Sequence, residues 1–164
     1  MFPPERTTVS VPAPTSGEFE DTTFESAVGE VEHQFSVMLA AARRSVKTAA
    51  VAVHPALQPL GFTVLMTLHR GGECQQGSVA EALQVDKALL SRTVSQLEAL
   101  GLVVRRTDPS DGRVQLLDLT AEGRARFEGA HTAKRTRLRE RLGNWTPAEL
   151  RNLSDLLHKL NERG

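Results

Sequence analysis

The chain has 164 residues, 40% of them apolar, which suffices for one domain of ordinary size with a buried core. Its 20 basic and 20 acidic side chains cancel, which at first argues against a nucleic-acid partner, and its single cysteine excludes an internal disulfide framework and fits a reducing cytoplasm. No basic stretch followed by an apolar run opens the sequence, and no segment approaches about 18 uninterrupted apolar residues, so neither a signal peptide nor a membrane span is expected.

The charge is unevenly placed. Residues 1–32 hold one basic and seven acidic side chains, a net of −6, which leaves +6 on residues 33–164. A basic body behind an acidic leader is the asymmetry that suggests a polyanionic partner.

Residues 1–22 carry Pro3, Pro4, Pro12 and Pro14 among Ser, Thr and Glu, and are expected to form a disordered or extended leader. From Phe24 the apolar positions Val28, Val31, Phe35, Ala42, Val46 and Val53 follow helical spacing, which predicts a long first helix. It has more apolar surface than one small domain needs to cover, and that surplus suits a subunit interface. His54 and Pro55 break it. A second helix begins near Leu57, with Pro59 tolerated in its first turn, and ends at Gly71 and Gly72. Cys74 falls in the 72–77 connection. A loop thiol is a candidate oxidation switch where its thiolate is stabilised, but Glu73 beside it acts the other way.

Ser78 and Glu81 have the spacing of a capping box, which predicts a short helix over 78–85. Asp86 is suited to cap the next helix immediately. On that second helix Leu90, Val94 and Leu97 recur at i, i+4 and i+7 as a buried stripe, with Leu100 beside it. The opposite side presents Ala88, Ser91, Arg92, Ser95 and Ala99, with Lys87 at the N-terminal end. Small side chains let a helix lie deep in a DNA major groove, where hydroxyls reach bases or phosphates and an arginine forks onto guanine. An ordinary amphipathic helix with a small exposed face is the plainer alternative.

Gly101 ends that helix. Residues 102–106 and 113–119 then read as two strands joined by the turn-rich 107–112, a β-hairpin with a long polar tip. Arg113, just past Gly112, is placed to enter a minor groove while the helix occupies the neighbouring major groove. Asp108 and Asp111 would repel phosphate if left free, so at least one is expected to pair with Arg105, Arg106 or Arg113; a solvated turn is the alternative.

Thr120 caps a fifth helix running to about residue 142, with Arg124, Arg126, Lys134, Arg135, Arg137, Arg139 and Arg141 along it, read as a solvated face. Thr146 and Glu149 form a second capping box with Pro147 at the first helical position, and Leu150, Leu153, Leu156 or Leu157, and Leu160 form the stripe of a last helix. Its natural partner is the first helix, across a dimer. The histidines, His33, His54, His69, His131 and His158, lack metal-site spacing, and neither a Gly-rich phosphate loop nor a nucleophile elbow occurs. No enzyme activity, cofactor or metal site is expected.

The segment starting at Ser78, the run from Asp86 to Glu98, then Gly101, Leu102 and Val103, the turn from Asp108 to Arg113, and Leu119 to Gly123 together resemble the winged helix-turn-helix of MarR-type (multiple antibiotic resistance regulator) transcription factors. The resemblance covers about 28–161 in layout and about 57–123 in motifs. It implies a mainly α fold with a small β-wing: a winged helix-turn-helix DNA-binding region over 55–120 and a helical dimerisation region over 23–54 and 121–164. By position it carries over Lys87, Ser91, Arg92 and Ser95 as recognition-helix contacts and Arg113 as the wing contact; Ala88, on the same outward face, is expected to touch DNA with them. Leu89 departs from the small or hydroxyl residue frequent in the family. The resemblance further implies a homodimer that binds a pseudo-palindromic double-stranded DNA operator and acts as a repressor; with the cysteine count, the expectation is a cytoplasmic regulator released by a small-molecule effector. An effector pocket would lie near the first, second and fifth helices, where Phe35, Met38, Arg43, Met66 and His69 fall, but no effector site is assigned. The alternatives are a helical scaffold whose winged domain binds a protein, and a regulator that responds to redox through Cys74.

Overall fold

The computed structural model describes residues 16–162, with side chains from residue 23 onward. The elements are α1 (Ser16–Val53), α2 (Pro59–Gly71), β1 (Cys74–Gln75), α3 (Gln76–Leu83), α4 (Lys87–Ala99), β2 (Val103–Thr107), β3 (Gln115–Leu119), α5 (Ala121–Arg141) and α6 (Pro147–Asn161). The fold is mainly helical with a small antiparallel wing. The chain divides into two compact units between Arg43 and Arg44.

In the first unit the described chain is α1 up to Arg43. Residues 1–15 of the expected leader lie outside the described residues, and 16–22 are helical where an extended leader was expected. The last proline of the leader is Pro14, so from Ser16 to Val53 no proline interrupts a helix. Phe24, Val31, Val37, Met38 and Leu39 are exposed within the chain.

The second unit holds the core. Pro59 sits in the first turn of α2, and that helix buries Phe62, Val64, Leu65 and Leu68. They meet Leu90, Val94 and Leu97 of α4, Leu117 and Leu119 of β3, Phe127 of α5, and Ala49, Ala50 and Val53 from the end of α1. The Phe62 and Phe127 rings pack tilted with centroids 5.2 Å apart.

The wing has three strands in the order β1-β3-β2, all antiparallel. The third strand was not expected: Cys74 and Gln75 pair with Leu117 and Leu116, where a plain connection was predicted. Two residues are too short for any periodic signal in the sequence. That pairing also moves the start of α3. The chain leaves β1 directly into the helix at Gln76, so Ser78 lies inside it, and the N-cap Gln75 makes no side-chain cap. The capping box expected at Ser78 and Glu81 therefore does not form. At the tip β3 is shorter than predicted, because Arg113 and Val114 belong to the turn, whereas β2 runs one residue further, to Thr107.

Three other helix starts, those of α4, α5 and α6, follow the sequence. Asp86 accepts the Leu89 amide at 2.7 Å, and the Thr146–Glu149 capping box is complete. Thr120 accepts the Gly123 amide at 2.9 Å and donates to the Gly101 carbonyl at 2.6 Å. Gly101 itself turns left-handed (φ 69°) between α4 and β2, a conformation that favours glycine. Thr120→Ala is expected to cost about 1 kcal/mol of stability, read as a lower urea midpoint at constant slope.

No residue of α6 is buried within the chain, and Leu150, Leu153, Leu156, Leu157 and Leu160 stand exposed along it.

Candidate nucleic-acid interface

Three consecutive local events aim α4. The short α3 ends at Gln84, whose left-handed backbone (φ 52°) turns the chain sharply. Asp86 then caps α4, and the buried face made by Leu90, Thr93, Val94 and Leu97 presses the helix onto the core. The opposite face is left outward: Lys87, Ala88, Leu89, Arg92, Ser95 and Ala99 are exposed and Ser91 is half-buried. Among the described residues Lys87, Arg92 and Arg113 make no ion pair, so their charges are free to meet an external anion.

The wing tip is held by its aspartates, but through the backbone. Asp108 accepts the Ser110 hydroxyl at 2.6 Å and the Ser110 amide at 2.7 Å, which hold its carboxyl below the ordinary aspartate range. Asp111 accepts the Arg113 amide at 2.9 Å. The expected pairing of these aspartates with an arginine side chain does not occur among the described residues. Short side chains in a tight turn reach amides two residues on before they reach a guanidinium. Arg105 instead reaches Glu98 at 3.2 Å and Arg106 reaches Glu73 at 3.8 Å. Arg113 keeps a backbone held by Asp111 and an exposed side chain without an ion pair among the described residues.

Lys87 and Arg113, 26 positions apart in sequence, line one cleft of about 280 Å³ together with Gln75, Gln76, Gly77 and Gln115. Ser91, Arg92 and Ser95 lie farther along α4 and do not line it. The three glutamines were missed by sequence reasoning. Their signal lay in the pairing of β1 with β3, which brings Gln75 beside Leu116 and which nothing local announces.

Cys74 is half-buried on β1, with a free thiol. Burial first, then the carboxylates of Asp118 and Glu73, push its pKa up, so the reactive thiolate is disfavoured. On α2, His69 packs its ring against Phe127 at 4.9 Å, and Met66 packs against the core. Among the described residues no group of three or more His, Cys, Asp or Glu is arranged to hold a metal ion, and no helix is long and apolar enough to cross a membrane.

Comparison with known proteins places this geometry. Residues 57–114 match the sequence profile of the MarR family. The chain is similar to two regulators described as uncharacterized HTH-type transcriptional regulators from Bacillus subtilis. It is 34% identical to YdgJ over 59% of each chain, and 30% identical to YxaD over 65% of this chain and 74% of YxaD. Among solved structures, a mutant MarR from E. coli complexed with operator DNA is similar with a TM-score of 0.62 and 24% identity, over 80% of this chain and 95% of that one.

Proposed function

Because this chain belongs to the MarR family of transcriptional regulators, we propose that it is a sequence-specific reader of double-stranded DNA that works as a homodimer. The carrying observation is the exposed Lys87 and Arg92 on one face of α4, without ion pairs among the described residues, with Arg113 across a cleft from Lys87. In this reading α4 enters a major groove, where Ala88, Ser91, Arg92 and Ser95 meet base edges or phosphates. Arg113 enters the adjoining minor groove, and the cleft between Lys87 and Arg113 takes the sugar-phosphate backbone. The operator-bound relative supports the reading by fold.

The dimer is supported by apolar surface that the single chain leaves uncovered. Leu153, Leu156 and Leu160 on α6 are 38%, 57% and 54% exposed, and Phe24 and Val31 on α1 are 66% and 53% exposed. Covering such a face with a second copy removes it from water at about 25 cal/mol per Å². The regions 23–54 and 121–164 then form the dimerisation part and 55–120 the reading head. Two-fold symmetry sets half-sites about 10 base pairs apart, a pseudo-palindrome. The regulator acts as a cytoplasmic repressor without catalysis. A small-molecule effector that favours one separation of the two reading heads releases it, by shifting a population that already exists.

The test is fluorescence anisotropy on the DNA upstream of the coding region against scrambled DNA of equal length, at about 150 mM salt. A preference of roughly a thousandfold is expected. Affinity should also fall steeply with salt, with a log-log slope of about −0.9 for each phosphate neutralised. Equal weak binding to both duplexes would sink the operator reading and favour a scaffold whose winged domain binds a protein.

A further inference from the structure

The reading face of α4 and the wing must keep a fixed mutual angle if both are to enter one duplex. A single charged residue spans that joint. Arg105 lies in the middle of β2, opposite Leu117 and on the same strand face as the buried Val103. Its Nη2 is 3.2 Å from Glu98 Oε2 and 3.5 Å from Ser95 Oγ, and these two residues are one turn apart on α4. Its side chain is 22% exposed, and its Nε is buried with no hydrogen-bond partner among the described residues.

This is poor engineering for stability. A buried N–H without a partner carries a desolvation cost, and a partly buried ion pair is commonly replaced by an apolar residue of similar size without loss. The placement makes sense if the pair is kept for geometry. The two N–H bonds of Nη2 lie in the guanidinium plane with fixed directions, so this one nitrogen holds two helical positions at a set distance from one strand position. Ser95 is also one of the candidate DNA contacts. With Arg105 donating toward its oxygen, the Ser95 hydroxyl keeps its own proton for an acceptor on the DNA.

We propose that Arg105 is a positioning residue for DNA recognition, acting through Glu98 and Ser95 to lock the wing to the recognition helix rather than by touching DNA. The proposal rests on the operator-reading function above and deepens it.

The experiment uses the full chain and the duplex that the wild type enriches from a random-sequence library. Four proteins are compared: wild type, Arg105→Met, Glu98→Gln and the double variant. Positioning predicts a sign that electrostatics does not. Glu98→Gln removes a carboxylate beside the DNA-facing surface, so simple charge repulsion predicts tighter binding to any DNA. A broken lock predicts about tenfold weaker binding to the selected duplex, with affinity for random DNA unchanged or slightly raised. Arg105→Met should show the same loss, and the double variant little more, because both changes break one interaction. The salt slope on the selected duplex should stay at the wild-type value, and the melting temperature of Arg105→Met should be equal or higher.

Three results would overturn the proposal. If Glu98→Gln binds the selected duplex more tightly, the lock has no role. If Arg105→Met makes the salt slope shallower by about 0.9 per reading head, Arg105 is a phosphate contact. If Arg105→Met lowers affinity only in step with a lowered melting temperature, its role is structural. A wild type that enriches no duplex at all would instead remove the operator reading on which the proposal stands.

Discussion

Gly123→Ala is expected to destabilise the fold by about 3 kcal/mol, the upper end for overpacking at a site that cannot yield. A Cβ on Gly123 would stand 1.9 Å from the carbonyl oxygen of Leu102, 2.8 Å from its carbonyl carbon and 3.0 Å from its Cα. All three are backbone atoms, so no rotamer change relieves the contact. The approach is close because the first turn of α5 sits directly on the chain between α4 and β2. The Thr120 amide donates to the same Leu102 carbonyl at 3.1 Å, and the Thr120 hydroxyl ties Gly101 and Gly123 together. To admit the methyl group, α5 must lift off and give up the cap. Gly129→Ala, on the same helix with open space around its Cα, is the matched control and should gain up to about 1 kcal/mol from helix propensity. Urea midpoints at one fixed chain concentration measure both. An alanine at 123 that leaves the midpoint in place would refute the account of this joint.

The joint also shows what the sequence could and could not reveal. The buried stripe of Leu90, Val94 and Leu97 was legible because helical periodicity is a local signal, and each of the three is fully buried. The caps at Asp86, Thr120 and Thr146 were legible for the same reason. Ser78 misled because its capping-box spacing was outweighed by a non-local event: β1 pairs with β3, more than forty residues downstream, and commits the chain to helix two residues early. The aspartates of the wing misled through reach. By charge their partners would be arginines, yet Ser110 and the Arg113 amide are nearer along the chain. Arg105 could not be assigned to Glu98 from sequence, because that contact requires knowing how β2 crosses α4. Thus the outward face of α4 was readable from its own residues, while the cleft joining Lys87 to Arg113 needed the fold.

Arg92→Ala is expected to weaken binding to the cognate duplex by about 1 to 3 kcal/mol per half-site, if its guanidinium forks onto a base. The side chain is exposed and has no ion pair among the described residues, so truncation leaves no internal partner orphaned and the melting temperature should not move. The whole effect must then appear in DNA binding. The companion Arg92→Lys decides what kind of contact is lost. Lysine keeps the charge but not the planar pair of donors, so it can serve a phosphate and cannot replace a fork on guanine. If Arg92 reads a base, Arg92→Lys should be nearly as weak as Arg92→Ala on the cognate duplex, while binding random DNA like the wild type. Recovery of most of the affinity by lysine would place Arg92 on the phosphate backbone instead. Sequence choice would then fall to Ser91, Ser95 and the exposed Leu89, whose apolar side chain is suited to a thymine methyl. Arg113→Ala provides the contrasting case. On the proposed reading, a side chain carried by the wing tip, whose Asp111 holds only its backbone, would contribute mainly through charge in a narrow minor groove. Its loss should therefore weaken binding most at low salt, and should discriminate A·T-rich from G·C-rich flanks rather than individual bases.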